Sequence, residues 1–414
     1  MRNFSKWFGT LSILAFLLPA GLLAQDPDKS KEKDRNKDKD GQSIQGSVEL
    51  GVRYSTGDVY GRPDLASGQC LGCGSPFTPA LSNSKFDEYR DMRNGFFVRR
   101  VDLRINNVLG SNNYVSLKSS RTLYRDQSYL GTFGRYGKFK VQFRYDEIPH
   151  IYSSTTRTMY TETSPGVWSF PAAIRSALQA STPANLPSLV AGTGTNTGIG
   201  VVTDFNFIMP SILRKAGTAL VSYNLNSMWT LNASYIRESE RGMRPIGTIM
   251  NSSPSASAAS GFGEELPEPV NYFNNLVCAG AEFGKRSWAI QAAYIGSFFQ
   301  NDTQQMTWDN PFRLTAETIA NPLTGRMALY PDNQANYASF AGAADVTKYM
   351  RFTASITPGW LRQNEAFLPY TTNTAINTCG SGTQACDTAG VLPESSLHGS
   401  KETLAMNYNL VTTS

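Results

Sequence analysis

Histidine is scarce in this chain: His150 and His398 are the two in 414 residues. His150 follows Pro149 at the end of an apolar stretch and His398 sits beside Gly399, so neither stands in the pattern of a nucleophile–base–carboxylate triad. Cysteine is limited to five positions, and a zinc centre built on them would need further ligands that two histidines hardly supply. A covalent haem site requires His directly after the second Cys of a C-x-x-C, but after Cys70-Leu-Gly-Cys73 the chain has Gly74. Gly192-Thr-Gly194-Thr-Asn-Thr-Gly198 misses the dinucleotide spacing, has no strand before it, and reads as a flexible loop. No paired carboxylates and no nucleophile elbow stand out. The expectation is a protein that is not an enzyme and that binds no metal or cofactor of its own.

Long hydrophobic runs are missing too. Past the N-terminal segment nothing approaches the roughly 18 consecutive apolar residues of a spanning helix. Charge of either sign is modest, with a net +5 spread through alternating stretches, which argues against a nucleic-acid face.

What is present begins with an address. Arg2 and Lys6 precede a short apolar core, Leu11 to Leu23, with small residues near Ala24. Residues 1–24 therefore read as a secretory signal peptide, an uncleaved anchor being the alternative. No Cys follows the apolar core, so lipoprotein processing is not expected. Residues 25–44 alternate Lys and Asp between Asp26 and Asp40, a pattern that cannot bury apolar area. They are expected to form a solvated periplasmic tether or a partner-docking tail.

Period-two alternation fills the rest. Val48, Leu50, Val52 and Tyr54 alternate with Glu49, Gly51, Arg53 and Ser55, and Phe139, Val141, Phe143 and Tyr145 alternate with Lys140, Gln142 and Arg144. Met350 to Thr357 and Thr403 to Leu410 repeat the pattern. One apolar and one polar face per strand suits a half-buried sheet. A soluble sandwich alternates as well. The export signal, strands of about ten residues or more, and connections alternating short and long favour an all-β transmembrane antiparallel barrel in the outer membrane. The expected meander over residues 45–414 has about twelve strands: 45–58, 92–107, 113–124, 127–134, 138–148, 213–224, 228–240, 270–284, 287–301, 335–345, 348–363 and 400–412. Short turns fall on the periplasmic side, and long connections at 59–91, 150–211, 241–268, 303–334 and 365–399 fall outside, with only the connection around Arg125–Gln127 outside by parity and yet short. A helix is expected in the second of these, at Pro171–Ala180, where Pro opens an Ala-rich segment.

Charges inside the alternating stretches carry the functional reading. A charge facing lipid at mid-depth costs about 2–4 kcal/mol, so Arg53, Arg100, Arg104, Lys138, Lys140 and Arg144 are expected to face a lumen. That lumen is either merely wet and mildly cationic, or a surface fitted to an anionic or haem-bearing partner. Cys70 and Cys73 suit a local disulfide, a redox or partner-binding pair, or a free dithiol. Cys379 and Cys386 flank Gly380-Ser-Gly382 and suit a loop disulfide, while Cys278 reads as an inert buried thiol.

The run Gly137-Lys-Phe-Lys-Val-Gln-Phe-Arg-Tyr-Asp-Glu-Ile-Pro-His150 resembles the best-known stretch of the decahaem-associated outer-membrane protein family, the MtrB/PioB barrels. Pro245-Ile-Gly247, Glu265-Leu-Pro-Glu-Pro-Val-Asn-Tyr272, Trp308-Asp-Asn-Pro311, Pro331-Asp-Asn333 and Phe367-Leu-Pro-Tyr370 extend the resemblance in order. The resemblance makes Asp146, Glu147, Pro149 and His150 family-motif residues. It implies a wide barrel that sheathes a periplasmic multihaem c-type cytochrome, with haem on the partner alone, so that electrons cross the outer membrane. A second multihaem cytochrome is implied on the outside. Family members carry about twice the strands counted here, and the chain ends on Thr412-Thr-Ser414 without a terminal aromatic residue. The expectation is therefore a C-terminally truncated piece of a larger barrel, forming an open curved sheet. A general porin or solute channel is the second reading, and a receptor or adhesin with large external loops the third.

Overall fold

The computed structural model describes residues 41–54, 88–92, 94–108, 111–153, 156–180, 206–251, 261–311, 322–379 and 384–412. The expected signal peptide, most of the tether and the Cys70–Cys73 pair lie outside the described residues. Ser43 and Ile44, expected at the end of the tether, belong instead to the first strand, because both pair in register with Ile105 and Asn106.

Twelve strands form one antiparallel sheet in strict chain order. They are β1 (Ser43–Arg53), β2 (Gly95–Asn106), β3 (Asn113–Thr122), β4 (Ser128–Arg135), β5 (Phe139–Ile151), β10 (Ser211–Asn224), β11 (Trp229–Asn251), β12 (Gly261–Gly284), β13 (Trp288–Asn301), β16 (Asn333–Thr347), β17 (Met350–Gln363) and β18 (Gly399–Thr412). Among the described residues β1 and β18 are the two edges of this sheet, and each pairs with a single neighbour. No described helix is long and apolar enough to cross a membrane.

Alternation segregates the sheet into two faces. Across the ladders, Leu103 stands opposite Leu117, Phe143 opposite Ala219, and Tyr235 opposite Val277. This apolar face, which includes Phe139, Val141, Phe143 and Tyr145, is uncovered: Phe143 is 60% exposed, Phe340 55% and Leu404 59%. A contiguous apolar surface spanning twelve strands has no place in water, and hydrocarbon is the solvent that fits it. Aromatic residues gather where the short turns meet this face. Trp229, Phe283 and Trp288 stack with ring centroids 4.9 and 4.7 Å apart, and Phe139 stands opposite Tyr223. Amphipathic rings at that level form the girdle expected at a membrane–water boundary.

The opposite end departs from expectation. Residues 241–268, expected as a long loop, are largely strand: β11 and β12 stay in register from Trp229–Phe283 up to Asn251–Gly261. Prolines concealed this. Pro245 faces Pro267, and Pro269 faces Met243; proline removes a ladder donor and normally argues against a strand. Here β10 stops pairing at Met243 and β13 stops at Tyr272. The upper halves of β11 and β12 thus form a two-stranded ribbon with free outer edges, where a missing N–H costs little.

Loop segments fold over this ribbon as a cap. β7 (Thr161–Ser164), β8 (Val167–Ser169), β14 (Gln305–Asp309) and β15 (Thr324–Ala328) make a four-stranded sheet, and the expected helix is present as α1 (Ala172–Ala180). β6 (Arg157–Thr158) and β9 (Asn206–Phe207) add a short bridge. Tyr160, Trp168, Phe170, Ile174, Met306 and Trp308 pack with Leu266 of β12 into the largest buried cluster among the described residues. Asp309 ties the start of α1 to the cap by accepting from Phe170 N at 2.9 Å, Ser169 Oγ at 3.0 Å and Arg175 Nη2 at 2.8 Å. A carboxylate there also complements the helix dipole.

Candidate functional site: the polar face

The second face of the sheet carries the charges, and strand register assigns them. On β2 and β3, Arg100 stands opposite Ser120, Asp102 opposite Lys118, and Arg104 opposite Ser116. On β5, Lys140 and Arg144 share this face with Asp146, and Arg144 Nε lies 2.5 Å from Asp146 Oδ2. Asp102 sits between two cations, Arg100 Nη2 at 3.3 Å and Lys118 Nζ at 3.4 Å. On β10 and β11, Arg214 grips Glu238 with two contacts of 2.6 Å, and Glu240 lies directly across from Arg214. Fork-to-fork pairs of this kind hold geometry as well as charge.

The face is less uniformly cationic than the six basic residues suggest. Its β1–β5 side is basic, with Arg100, Arg104, Lys118, Lys140 and Arg144 set against Glu49, Asp102 and Asp146. The β10–β13 side carries Glu238, Glu240, Glu268 and Glu282 against Arg214 and Arg244. On β16–β18 the middle of the face turns to small neutral residues such as Ser339, Thr353, Ser355 and Asn407, with Asp345, Arg351 and Lys401 confined to its two ends. The result is a polar surface graded from positive through negative to neutral.

Two of the six expected lumen charges do other work. Lys138 stands in the β4–β5 turn, beyond the last paired residue Phe139; its Nζ reaches across to the Tyr223 ring at 4.8 Å and donates to Leu225 O at 3.3 Å. It belongs to the membrane boundary, and this corrects its expected lumen position. Arg53 lies on the polar face of β1, but its guanidinium is spent on the neighbourhood. It covers the Phe97 and Tyr124 rings at 5.3 and 5.5 Å and donates to Asp91 O at 2.6 Å.

The motif residues of β5 are split by the two-residue period. Asp146 and His150 share the polar face, whereas Glu147 and Pro149 occupy the other. His150 stacks between Tyr89 and Tyr152, with centroids 4.6 and 4.1 Å away, and its Nε2 lies 3.5 Å from Glu88 Oε1. Glu147 is buried, accepts from Tyr145 Oη at 2.5 Å, and faces Lys215 Nζ at 3.5 Å. The motif thus anchors the top of one strand on both sides and assembles no reactive centre.

The cap fixes the upper end of the polar face. Glu268 of β12 is 2% exposed, holds Arg244 through two 2.8 Å contacts and accepts from Tyr272 Oη at 3.2 Å. Glu264, higher on the ribbon, takes the Tyr160 hydroxyl at 3.4 Å, and burial pushes its carboxyl up to about 7. Sequence reasoning missed both, because prolines masked the strand that carries them. The motif Trp308-Asp-Asn-Pro311 is structural: Asn310 is fully buried and bonds to Leu323 O and Pro322 O. Cys379 and Cys386 are joined by a disulfide, and Cys278 is a buried free thiol on the polar face. His398 sits in the loop before β18, 3.9 Å from Glu394. Among the described residues no cluster of His, Cys, Asp and Glu has the geometry to hold a metal ion.

A meander with one apolar, uncovered face, one charged face, tight turns at one end and a folded cap at the other defines an outer-membrane β-barrel protein. The chain belongs to the MtrB/PioB family of outer membrane beta-barrel porins, whose profile matches residues 80–414. It is 25% identical over 240 residues to outer membrane protein MtrB of Shewanella baltica strain OS185, a match covering 57% of this chain and 30% of that protein. The matched stretch is thus less than a third of that relative's length. Looser likenesses are to the ferric-catecholate import receptor Fiu of E. coli K12 in its closed form (15% identity, 76% of this chain and 45% of that one, TM-score 0.32). OmpT of Vibrio cholerae is similar at 6% identity, over 76% of this chain and 65% of that one, with a TM-score of 0.28.

Proposed function

We propose that the polar face lines a barrel that sheathes a periplasmic multihaem c-type cytochrome, so that electrons cross the outer membrane through haems on the partner. Membership of the MtrB/PioB family, joined to the relative named MtrB, is the observation that carries this reading. The graded polar face supports it: paired charges such as Arg144–Asp146 and Arg214–Glu238 stay hydrated and directional while keeping a docked protein away from lipid. The barrel does no redox chemistry. Its part is to insulate and to hold register. An extracellular multihaem cytochrome docks beside the cap in the same scheme.

Affinity purification of the chain from outer membranes should bring down a haem-staining c-type cytochrome. In liposomes, electron delivery to an external acceptor should need both proteins. Transfer by the barrel protein alone, or purification free of haem protein from cells making the cytochrome, would overturn the sheath. The second reading is a solute channel, which the family's description as porins favours. It predicts steady ion conductance in planar bilayers, where a barrel occupied by its cytochrome stays closed.

A further inference from the structure

Arg100, Arg144, Arg214 and Arg244 on the polar face each hold a carboxylate, whereas two guanidiniums of β11 on the apolar face hold none. Arg237 and Arg241 of β11 share that face with Leu231 and Tyr235, opposite Asn275 and Asn271 of β12. Phe273 lies between them, opposite Ser239, with Arg237 Cζ 4.7 Å and Arg241 Cζ 5.0 Å from its ring centroid. The two side chains shield this ring so well that Phe273 is 8% exposed on a face that is mostly uncovered. Arg237 Nη1 donates to Asn275 Oδ1 at 3.1 Å, and Tyr235 Oη donates to the same oxygen at 2.8 Å. Neither arginine makes an ion pair among the described residues; of the carboxylates near this level, Asp302 accepts from Asn271 Nδ2 at 3.2 Å and Glu147 is held by Lys215 Nζ at 3.5 Å.

Their height makes the arrangement informative. A tilted strand climbs about 2.5 Å per residue and the apolar band is about 25 Å tall. Counting upward from the turn end of β12 at Gly284, Asn275 marks the top of that band, and Arg241 stands about 10 Å higher, in the headgroup layer. Two uncompensated cations at mid-depth would be costly, whereas at the boundary they cost little and attract anionic headgroups. Beside them Gly217 of β10, opposite both Tyr145 and Arg237, carries no side chain, so no neighbouring group crowds Arg237 from that strand.

We propose that Arg237 and Arg241, spread over Phe273, clamp the phosphate of an anionic outer-leaflet lipid, a phosphorylated glycolipid of the lipid A type. Guanidinium is suited to this, since its planar fork binds phosphate oxygens in pairs while its face rests on an aromatic ring. The site lies on the outside of the wall and is independent of what the lumen holds.

The full chain is purified in neutral detergent after incubation with diphosphoryl lipid A, and retained lipid phosphorus is measured against dephosphorylated lipid A and phosphatidylcholine. Wild type should retain the diphosphoryl form selectively. R237Q and R241Q should each weaken retention roughly fivefold, and R237K/R241K should restore part of it. R351Q/K401Q, which removes two cations from the polar face, should retain lipid as wild type does. Folding of each variant is checked by strand-type circular dichroism. Equal retention by R237Q/R241Q, equal loss in R351Q/K401Q, or displacement of the lipid by millimolar inorganic phosphate would overturn the proposal.

Discussion

Glu268 shows what one buried carboxylate does at the top of this wall. It is 2% exposed and serves Arg244 and Tyr272 together. Removing one partner of such a pair leaves the other uncompensated, a loss of roughly 3–5 kcal/mol when burial is complete. Arg244 is partly exposed, so E268A should fall at or below the lower end of that range. Limited proteolysis should then cut within the cap before the sheet, and wild-type protection of the cap in E268A would refute this. Glu264 sits outside the membrane-spanning part of β12 and makes the cap sensitive to pH. Burial raises its carboxyl from the ordinary 4.5 to about 7, so the folded state holds the proton more tightly than the unfolded one. Stability supplied by the neutral form is therefore complete below about 4.5 and is lost as the pH rises to about 7. Fluorescence from the buried Trp168 and Trp308 should shift red with a midpoint near 7, and E264Q should abolish the transition. A transition unchanged in E264Q would assign it elsewhere.

At the scale of elements, the β11–β12 ribbon decides where the cap can sit. Gly242 marks the point at which β11 leaves the sheet. Its φ is +143°, and a Cβ built there would meet Ser211 O at 1.9 Å. Both the backbone conformation and the close approach of β10 require glycine. G242V should detach the ribbon from β10 and unseat the cap while leaving strands from β1 to β5 intact. Hydrogen exchange would register this as lost protection confined to residues 242–251 and 261–270, whereas even loss across the sheet would contradict it. The Cys379–Cys386 disulfide is a second local device, closing a loop of seven residues' separation between β17 and β18. Its removal should cost roughly 2–3 kcal/mol of local order, visible as new protease sites beside Cys379 and Cys386 under reducing conditions alone.

For the whole molecule, the meander produces a gradient of protection. Strands β10 to β13 pair on both sides, whereas among the described residues β1 and β18 each leave one row of backbone groups without a ladder partner. Unpaired edge groups exchange freely and invite further strand pairing. Amide exchange in detergent should therefore be fastest in β1 and β18 and slowest in β11 and β12, and uniform exchange across the sheet would show edge pairing between copies. The same order organises electrostatics: basic on β2–β5, acidic on β11–β12 and neutral across the middle of β16–β18. A partner held against this face meets a field that orients it.

Alternation alone determined most of the wall. Period-two patterning places side chains on opposite faces wherever a strand forms, so Phe143 against Arg144 was legible before any pairing was known. Turn residues marked the short connections for the same local reason, and Pro171 before an Ala-rich run marked α1. Tertiary structure alone decided the rest. Pro245, Pro267 and Pro269 argue against a strand locally, and only the free outer edges of the ribbon make them tolerable. Lys138 has the parity of a lumen residue, but the turn carries it past the last ladder pair and onto Tyr223. The pairing of Arg214 with Glu238, the burial of Glu268 and the bare charge of Arg237 and Arg241 depend on strand register and on what the cap covers. These are distances across the sheet, which a sequence read along one strand does not contain.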